Sequence, residues 1–198
     1  MKTLAAVQTE IGADLRVEEI ELPDPGPDQV TVRVVSSGVC HSQLHQMHSR
    51  ALGRPLLLGH EGTGIVTAVG SNVGHVKAGD TCIVTWVPRV PVRGPVPRLD
   101  TGARYKGKPA HGHVYTWARD MLTSKDLVVP IPPEHPKDLS CIVGCAVLTG
   151  AGAVLHTAKV RAEESVAVFG VGGVGLSAIK AAALVGAYPI IAVDLDEA

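Results

Sequence analysis

Aromatic side chains are scarce in this 198-residue chain: Phe, Trp and Tyr together make up 3%. With hydrophobic residues at 45%, a core must be built from Val, Ala, Leu and Ile. An excess of charge is also lacking, with 18 Lys and Arg against 19 Asp and Glu. That balance excludes the strongly basic footprint of a nucleic-acid-binding protein. No charge-free apolar run reaches the roughly 18 residues that signal a membrane span. The longest candidate, AAALVGAYPIIAV, is broken by Gly186 and Pro189. The opening MKTLAAVQTE has one early Lys and no sustained apolar stretch, so no secretory leader is expected. Cysteine is sparse too: Cys40, Cys82, Cys141 and Cys145. Four cysteines could pair as two disulfides, but nothing else points to an oxidising compartment, and reduced thiols in a cytoplasmic protein are expected.

Glycine and proline are plentiful, at 22 and 14 residues, and they punctuate the chain with turns. Between PDPGPDQ at 23–29, GSNVG at 70–74 and KAGD at 77–80 lie β-rich runs: VTVRVVSS (30–37), GIVTAVG (64–70) and TCIVTW (81–86). Alternation in VTVRVV predicts one buried face and one wetter face in an antiparallel, partly barrel-like region. Residues 88–110 hold five prolines together with Arg89, Arg93, Arg98, Arg104, Lys106 and Lys108. Proline at that density predicts a surface loop without regular structure, with a phosphate-binding patch as the weaker reading. The charged residues of WARDMLTSKD are expected at a turn. From Asp138 or Ser140, either of which could cap it, apolar residues recur at helical spacing. The order strand (165–170), glycine turn, helix and strand (188–194) then makes one β-α-β unit.

The glycine turn reads Gly170-Val171-Gly172-Gly173-Val174-Gly175 and satisfies G-x-G-x-x-G. Such a pattern is weak by itself in a glycine-rich chain, but here a strand precedes it and a helix follows. Asp194 closes the next strand, 24 residues after Gly170. Gly170 suits the tight turn, Gly172 lets backbone approach a pyrophosphate at the helix N-terminus, and Gly175 lets helix and strand pack closely. Asp194 would accept hydrogen bonds from the adenosine ribose, and its charge would repel the extra phosphate of NADP, favouring NAD. The plainer reading is an ordinary glycine-rich turn followed by a surface Asp.

Cys40 in GVCHSQLH, His60 in GHEGTG and Cys145 in VGCAVLTG make a Cys₂His set, which leaves zinc a fourth position for water or substrate. Their separations of 20 and 85 residues are not zinc-finger spacings. Spacing alone leaves zinc ligation and ordinary burial of thiols and imidazole both open.

Taken in order, these segments resemble the zinc-containing alcohol dehydrogenases of the medium-chain dehydrogenase/reductase family. GHEGTGIVTAVGSNV is similar to the family's zinc signature, and GVCHSQLH to its first-ligand segment. CIVGCAVLTGAGAVLHTAKV is similar to the third-ligand segment, with a flavour of the glutathione-dependent formaldehyde dehydrogenases. AVFGVGGVGLSAIKAA and IIAVD look like the coenzyme strand, turn and acidic stop. The resemblance covers the chain except for 88–110.

It implies an α/β protein: a GroES-like, largely antiparallel catalytic domain over 1–135, then a linking helix and the first β-α-β unit of a Rossmann domain over 136–198. It implies that Cys40, His60 and Cys145 are the catalytic zinc ligands, with Glu61 as a carboxylate that approaches the metal during ligand exchange. Ser42 and His45 resemble the inner and outer members of a proton relay that passes through a coenzyme ribose hydroxyl. His41 stands where relatives meet the pyrophosphate, and Thr149 beside the nicotinamide. With Gly170, Gly172, Gly173, Val174, Gly175 and Asp194 they form the expected NAD site. Trp86 resembles an aromatic lining the substrate pocket. The implied reaction moves hydride between a primary or secondary alcohol and NAD. Expected partners are a small alcohol or aldehyde, with no nucleic acid or membrane, and a homodimer or homotetramer at full length.

The chain departs from the family in three respects. Residues 88–110 contain no cysteine, so one catalytic zinc and no structural zinc is expected. Gln43 stands where many relatives carry Asp beside the histidine ligand, which implies altered tuning of the metal site. Cys141, near Cys145, is not a ligand position and is expected to be buried packing. The family's members are also longer, so a truncated product or partial sequence is expected. Two other functions stay in view: a polyol or sugar-alcohol dehydrogenase of the same family, and a non-catalytic zinc- or nucleotide-binding fragment.

Overall fold

The computed structural model describes residues 1–91, 93–94 and 99–195. Arg98 and the prolines at 95 and 97, part of the basic loop, lie outside the described residues. The chain forms two compact units, Met1–Gly144 and Cys145–Ala198.

The first unit is built from short strands that pair antiparallel. One sheet runs β4 (Leu56–Leu57), β1 (Lys2–Gln8), β2 (Arg16–Glu21), β7 (Arg104–Tyr105), β8 (Lys108–Pro109). The other runs β10 (Val128–Pro130), β6 (Thr81–Val84), β5 (Gly62–Val69), β3 (Gln29–Ser37), β9 (Asp120–Ser124). Val7, Ile20 and Leu57 from the first sheet and Val30, Val32, Val66, Val84, Met121 and Val128 from the second share one buried cluster. This is the expected antiparallel, GroES-like architecture. Strand β3 lies between β5 and β9, so Gln29, Val30, Thr31 and Val32 are all buried and alternation begins only at Arg33. The wetter face expected along the whole strand is therefore confined to its second half.

Two expectations are corrected. Residues 88–110 are not free of regular structure. Arg104–Pro109 form the β7–β8 hairpin, in which Gly107 at φ +76° helps the chain reverse, and Ala103, Tyr105 and Ala110 are buried in the core. Hydrophobic residues spaced around the turn anchor it despite the prolines upstream. Second, Asp120 is in strand β9 rather than a turn and is buried. Its carboxylate accepts a 2.6 Å hydrogen bond from Arg33 Nε and a 2.9 Å one from Thr3 Oγ1. Those partners offset the desolvation that otherwise keeps carboxylates out of a core.

After the strands, α2 (Lys137–Ser140) begins at Pro136, so neither Asp138 nor Ser140 caps it. Ser140 Oγ instead donates to the Pro136 carbonyl at 2.7 Å. The remaining helical stretch is irregular: wide π-type turns over Val143–Val147 and Ala153–Ala158 flank α3 (Leu148–Gly152). In the second unit β11 (Val166–Phe169) and β12 (Ile190–Val193) pair in parallel through α4 (Gly173–Leu184), the start of a Rossmann-like fold. Val154, Ala181, Ala182 and Ala187 form its small core. Among the described residues no helix is long and apolar enough to cross a membrane.

Tyr115 gives a test of the first unit's core. It is 1% exposed, its hydroxyl accepts from the Leu122 N–H at 3.0 Å, and burial pushes its pKa up to about 12. Tyr115→Phe is expected to cost about 1–3 kcal/mol in denaturant unfolding, because a buried N–H loses its acceptor. The raised pKa means the neutral phenol is favoured by folding. Its contribution is full below the ordinary value of 10.0 and is lost as pH rises towards about 12. The wild type is expected to lose stability more steeply over that window than Tyr115→Phe.

Candidate metal centre and nucleotide turn

Two hydrogen bonds bring the first two ligand segments together, and a third braces the first of them. Where β3 ends against β5, Gly38 N–H and Ser37 Oγ both donate to the Glu61 carbonyl, at 3.0 and 2.9 Å. Trp117 Nε1 donates to the Gly38 carbonyl at 3.1 Å. Gly59 has φ +98°, and a Cβ there would collide with Thr116 and Trp117, which is why GHEG opens with glycine. The turn at Gly59 delivers His60 and Glu61 to the start of β5, both buried. Thr116 and Trp117 have no signature in the sequence: they lie far along the chain from both ligand segments and carry no ligating chemistry.

Cys40 Sγ, a His60 ring nitrogen, a Glu61 carboxylate oxygen and Cys145 Sγ all lie within 4.8 Å of one another. Cys145 follows directly on Gly144, whose carbonyl accepts a 2.6 Å hydrogen bond from Thr85 Oγ1. Zinc bonds of about 2.0–2.3 Å to nitrogen and sulfur place tetrahedral ligands about 3.3–3.8 Å apart, so this donor set fits zinc with little adjustment. Burial first, and the nearby His113 second, hold the His60 pKa below that of ordinary imidazole. At neutral pH the ring is therefore uncharged and offers a lone pair. Gln43, 2% exposed, places its amide Nε2 at 2.7 Å from His60 Nδ1. Cys141 is not in the cluster: it is buried, and its thiol donates to the Asp138 carbonyl at 3.1 Å.

Ser42 and Trp86 stand beside the ligand residues, and His41 and His45 belong to the helix that follows Cys40. Helix α1 (Ser42–His48) starts two residues after Cys40, and Ser42 Oγ donates to Cys40 Sγ at 3.3 Å. His41, at the N-cap, and His45, one turn on, are exposed, and their ring centroids are 5.6 Å apart. Trp86 is about half exposed and stands edge-on to His60, with ring centroids 6.5 Å apart.

The nucleotide motif sits entirely in the second unit. Gly170 has φ +88°, and Gly172 is the N-cap of α4. A Cβ on Gly175 would overlap the Gly170 carbonyl oxygen, so only glycine allows the helix to approach the strand end. Asp194 Oδ2 accepts the Val171 N–H at 2.6 Å, tying the end of β12 to the glycine turn. Val174 is half-exposed on the first turn of α4, Gly173 is exposed, and Thr149 is exposed on α3.

Residues 26–133 match the alcohol dehydrogenase GroES-like domain. The chain belongs to the zinc-type medium-chain alcohol dehydrogenase family. It is 34% identical to S-(hydroxymethyl)glutathione dehydrogenase of Komagataella pastoris, over all of this chain and 58% of that relative. An alcohol dehydrogenase zinc-binding domain protein from Burkholderia ambifaria superposes with a TM-score of 0.90 at 34% identity, over 99% of this chain and 60% of its own. Benzyl alcohol dehydrogenase from Acinetobacter calcoaceticus superposes at 0.85 and 31% identity, over 100% and 59%. The chain thus spans about three-fifths of the length of these relatives.

The burial of the thiols predicts their order of reaction. Cys40 is partly accessible, Cys141 and Cys145 are buried, and burial pushes the Cys82 thiol up to about 12. Native alkylation followed by mass spectrometry is expected to modify Cys40 first and to leave Cys82 intact until the chain unfolds. Added zinc is expected to protect Cys40.

Proposed function

We propose that these residues serve a zinc-dependent oxidoreductase that moves hydride between an alcohol and NAD. The observation that carries this reading is the convergence of Cys40, His60 and Cys145, with Glu61, on one small volume. Zinc held there would act as a Lewis acid on an alcohol or carbonyl oxygen.

The chain's own side chains supply the rest. Two thiolates and one neutral imidazole leave a metal site open to a further ligand, and Glu61 is close enough to compete for that position. Ser42, fixed beside Cys40, presents a hydroxyl that can both accept and donate a proton. His45, exposed one helical turn later, carries an imidazole that can exchange a proton with solvent. Trp86 beside His60 narrows the approach and favours slender or flat alcohols over polyhydroxylated ones. Gly170 to Gly175 present backbone at the start of α4 for the coenzyme pyrophosphate, with His41 as a further contact. Asp194 meets the adenosine ribose, and its charge selects NAD over NADP. Thr149 is assigned to the nicotinamide end. The single catalytic metal site, an alcohol or aldehyde substrate and cytoplasmic residence belong to the same proposal.

A second reading is supported by the length comparison. The chain spans 58% of the Komagataella relative, so as it stands it could hold the metal and the first nucleotide turn without turning over substrate. Purified chain assayed for zinc content and for NADH formation with benzyl alcohol and with sorbitol separates these readings. The oxidoreductase reading expects about one zinc per chain and faster turnover of benzyl alcohol. The second expects zinc without NADH. Faster turnover of sorbitol would move the assignment to a polyol dehydrogenase, and failure to take up zinc would defeat all three. Where turnover is seen, His45→Gln is expected to lower it about tenfold or more near neutral pH.

A further inference from the structure

Gln43, 2% exposed, bridges two of the ligand residues. Its Oε1 accepts the Cys40 backbone N–H at 3.2 Å, and its Nε2 stands 2.7 Å from His60 Nδ1. A backbone N–H is always a donor, so the oxygen end of the amide belongs at Cys40 and the NH₂ end at His60. An amide oriented that way donates to Nδ1. His60 Nδ1 must then be the unprotonated nitrogen, and the proton of the neutral ring sits on Nε2.

A metal needs a lone pair from the same ring. If it takes Nε2, the proton moves to Nδ1 and faces the amide NH₂, donor against donor. Turning the amide over satisfies Nδ1–H but sets NH₂ against the Cys40 N–H. If the metal takes Nδ1 instead, it displaces the Gln43 hydrogen bond. Each route loses one buried hydrogen bond, because an amide has one acceptor oxygen and the loaded site presents two donors. A carboxylate of the same length would accept from both.

We infer that Gln43 is a positioning residue that works against metal loading: it holds His60 in the tautomer unsuited to ligation and makes the centre weaker and more readily exchanged than its donor set alone would give. The inference rests on the zinc reading above. It also reverses the usual role of a group behind a histidine ligand, which orients the ring for the metal and raises its basicity.

Competition between the chain and a chromophoric chelator for zinc, with Gln43→Glu and Gln43→Met beside wild type, tests this. Groups behind a ligand commonly change metal affinity about 10- to 100-fold. Gln43→Glu is expected to tighten zinc binding by about that factor. Gln43→Met, which removes the amide without adding charge, is expected to bind zinc at least as tightly as wild type. An amide that merely supported the ligand would make Gln43→Met weaker about tenfold or more, and that result, with the fold intact by circular dichroism, would overturn the inference. Long-range ¹H–¹⁵N NMR of the metal-free wild-type chain gives an independent reading: Nε2–H on His60 is expected, and Nδ1–H contradicts the inference. If no variant binds zinc, the metal reading fails while the tautomer still decides the role of Gln43.

Discussion

The antiparallel register that sets Ser37 opposite Gly62 is the constraint on which the metal centre depends. Neither Cys40 nor His60 is in a strand, yet each follows or precedes one by only a few residues. The β3–β5 ladder therefore fixes both, and the bonds from Gly38 and Ser37 to the Glu61 carbonyl close the gap beyond the last paired residues. A one-residue slip would turn every side chain of β3 to the other face. It would turn Val30 and Val32, which are fully buried, out of the apolar cluster they share and separate Cys40 from His60 in the same movement. Core packing and site geometry are thus protected by the same pairing.

Burial at this end of the sheet has a chemical consequence. His60 is shielded enough to stay neutral at neutral pH, and Glu61 is buried beside it. Cys82, farther along the same sheet, shows what burial does to a thiol outside the cluster: its pKa is driven to about 12, and it is left as an inert packing group. The second unit obeys a different economy of space. There the close approach of α4 to β11 at Gly175 and the Asp194–Val171 hydrogen bond shape the glycine turn.

Legibility in the sequence followed how local each cause was. VTVRVVSS and GIVTAVG are strands because β-branched residues and turn signals act over a few positions, and both appear as β3 and β5. The glycine turn at 170–175 was readable for the same reason, since a tight turn and a close helix approach require particular residues at particular offsets. Asp120 was not legible. A charged residue next to Arg119 reads as a turn until Thr3 and Arg33, distant in sequence, are seen to satisfy it. The 104–109 hairpin was hidden by prolines upstream, and its anchor, Tyr105, is set by tertiary burial. Spacing alone left the three metal ligands open, and their convergence emerged only with the fold. Trp117 and Thr116, which position the first ligand segment, have no local signature at all.

Zinc-edge X-ray absorption on the zinc-loaded chain tests whether Cys40, His60 and Cys145 share one metal. Two sulfur scatterers at about 2.3 Å are expected, with one imidazole and one further light-atom ligand at about 2.0–2.2 Å. Loss of one sulfur is expected in Cys40→Ser and again in Cys145→Ser. A first shell of four sulfurs, or of nitrogen and oxygen alone, would contradict it.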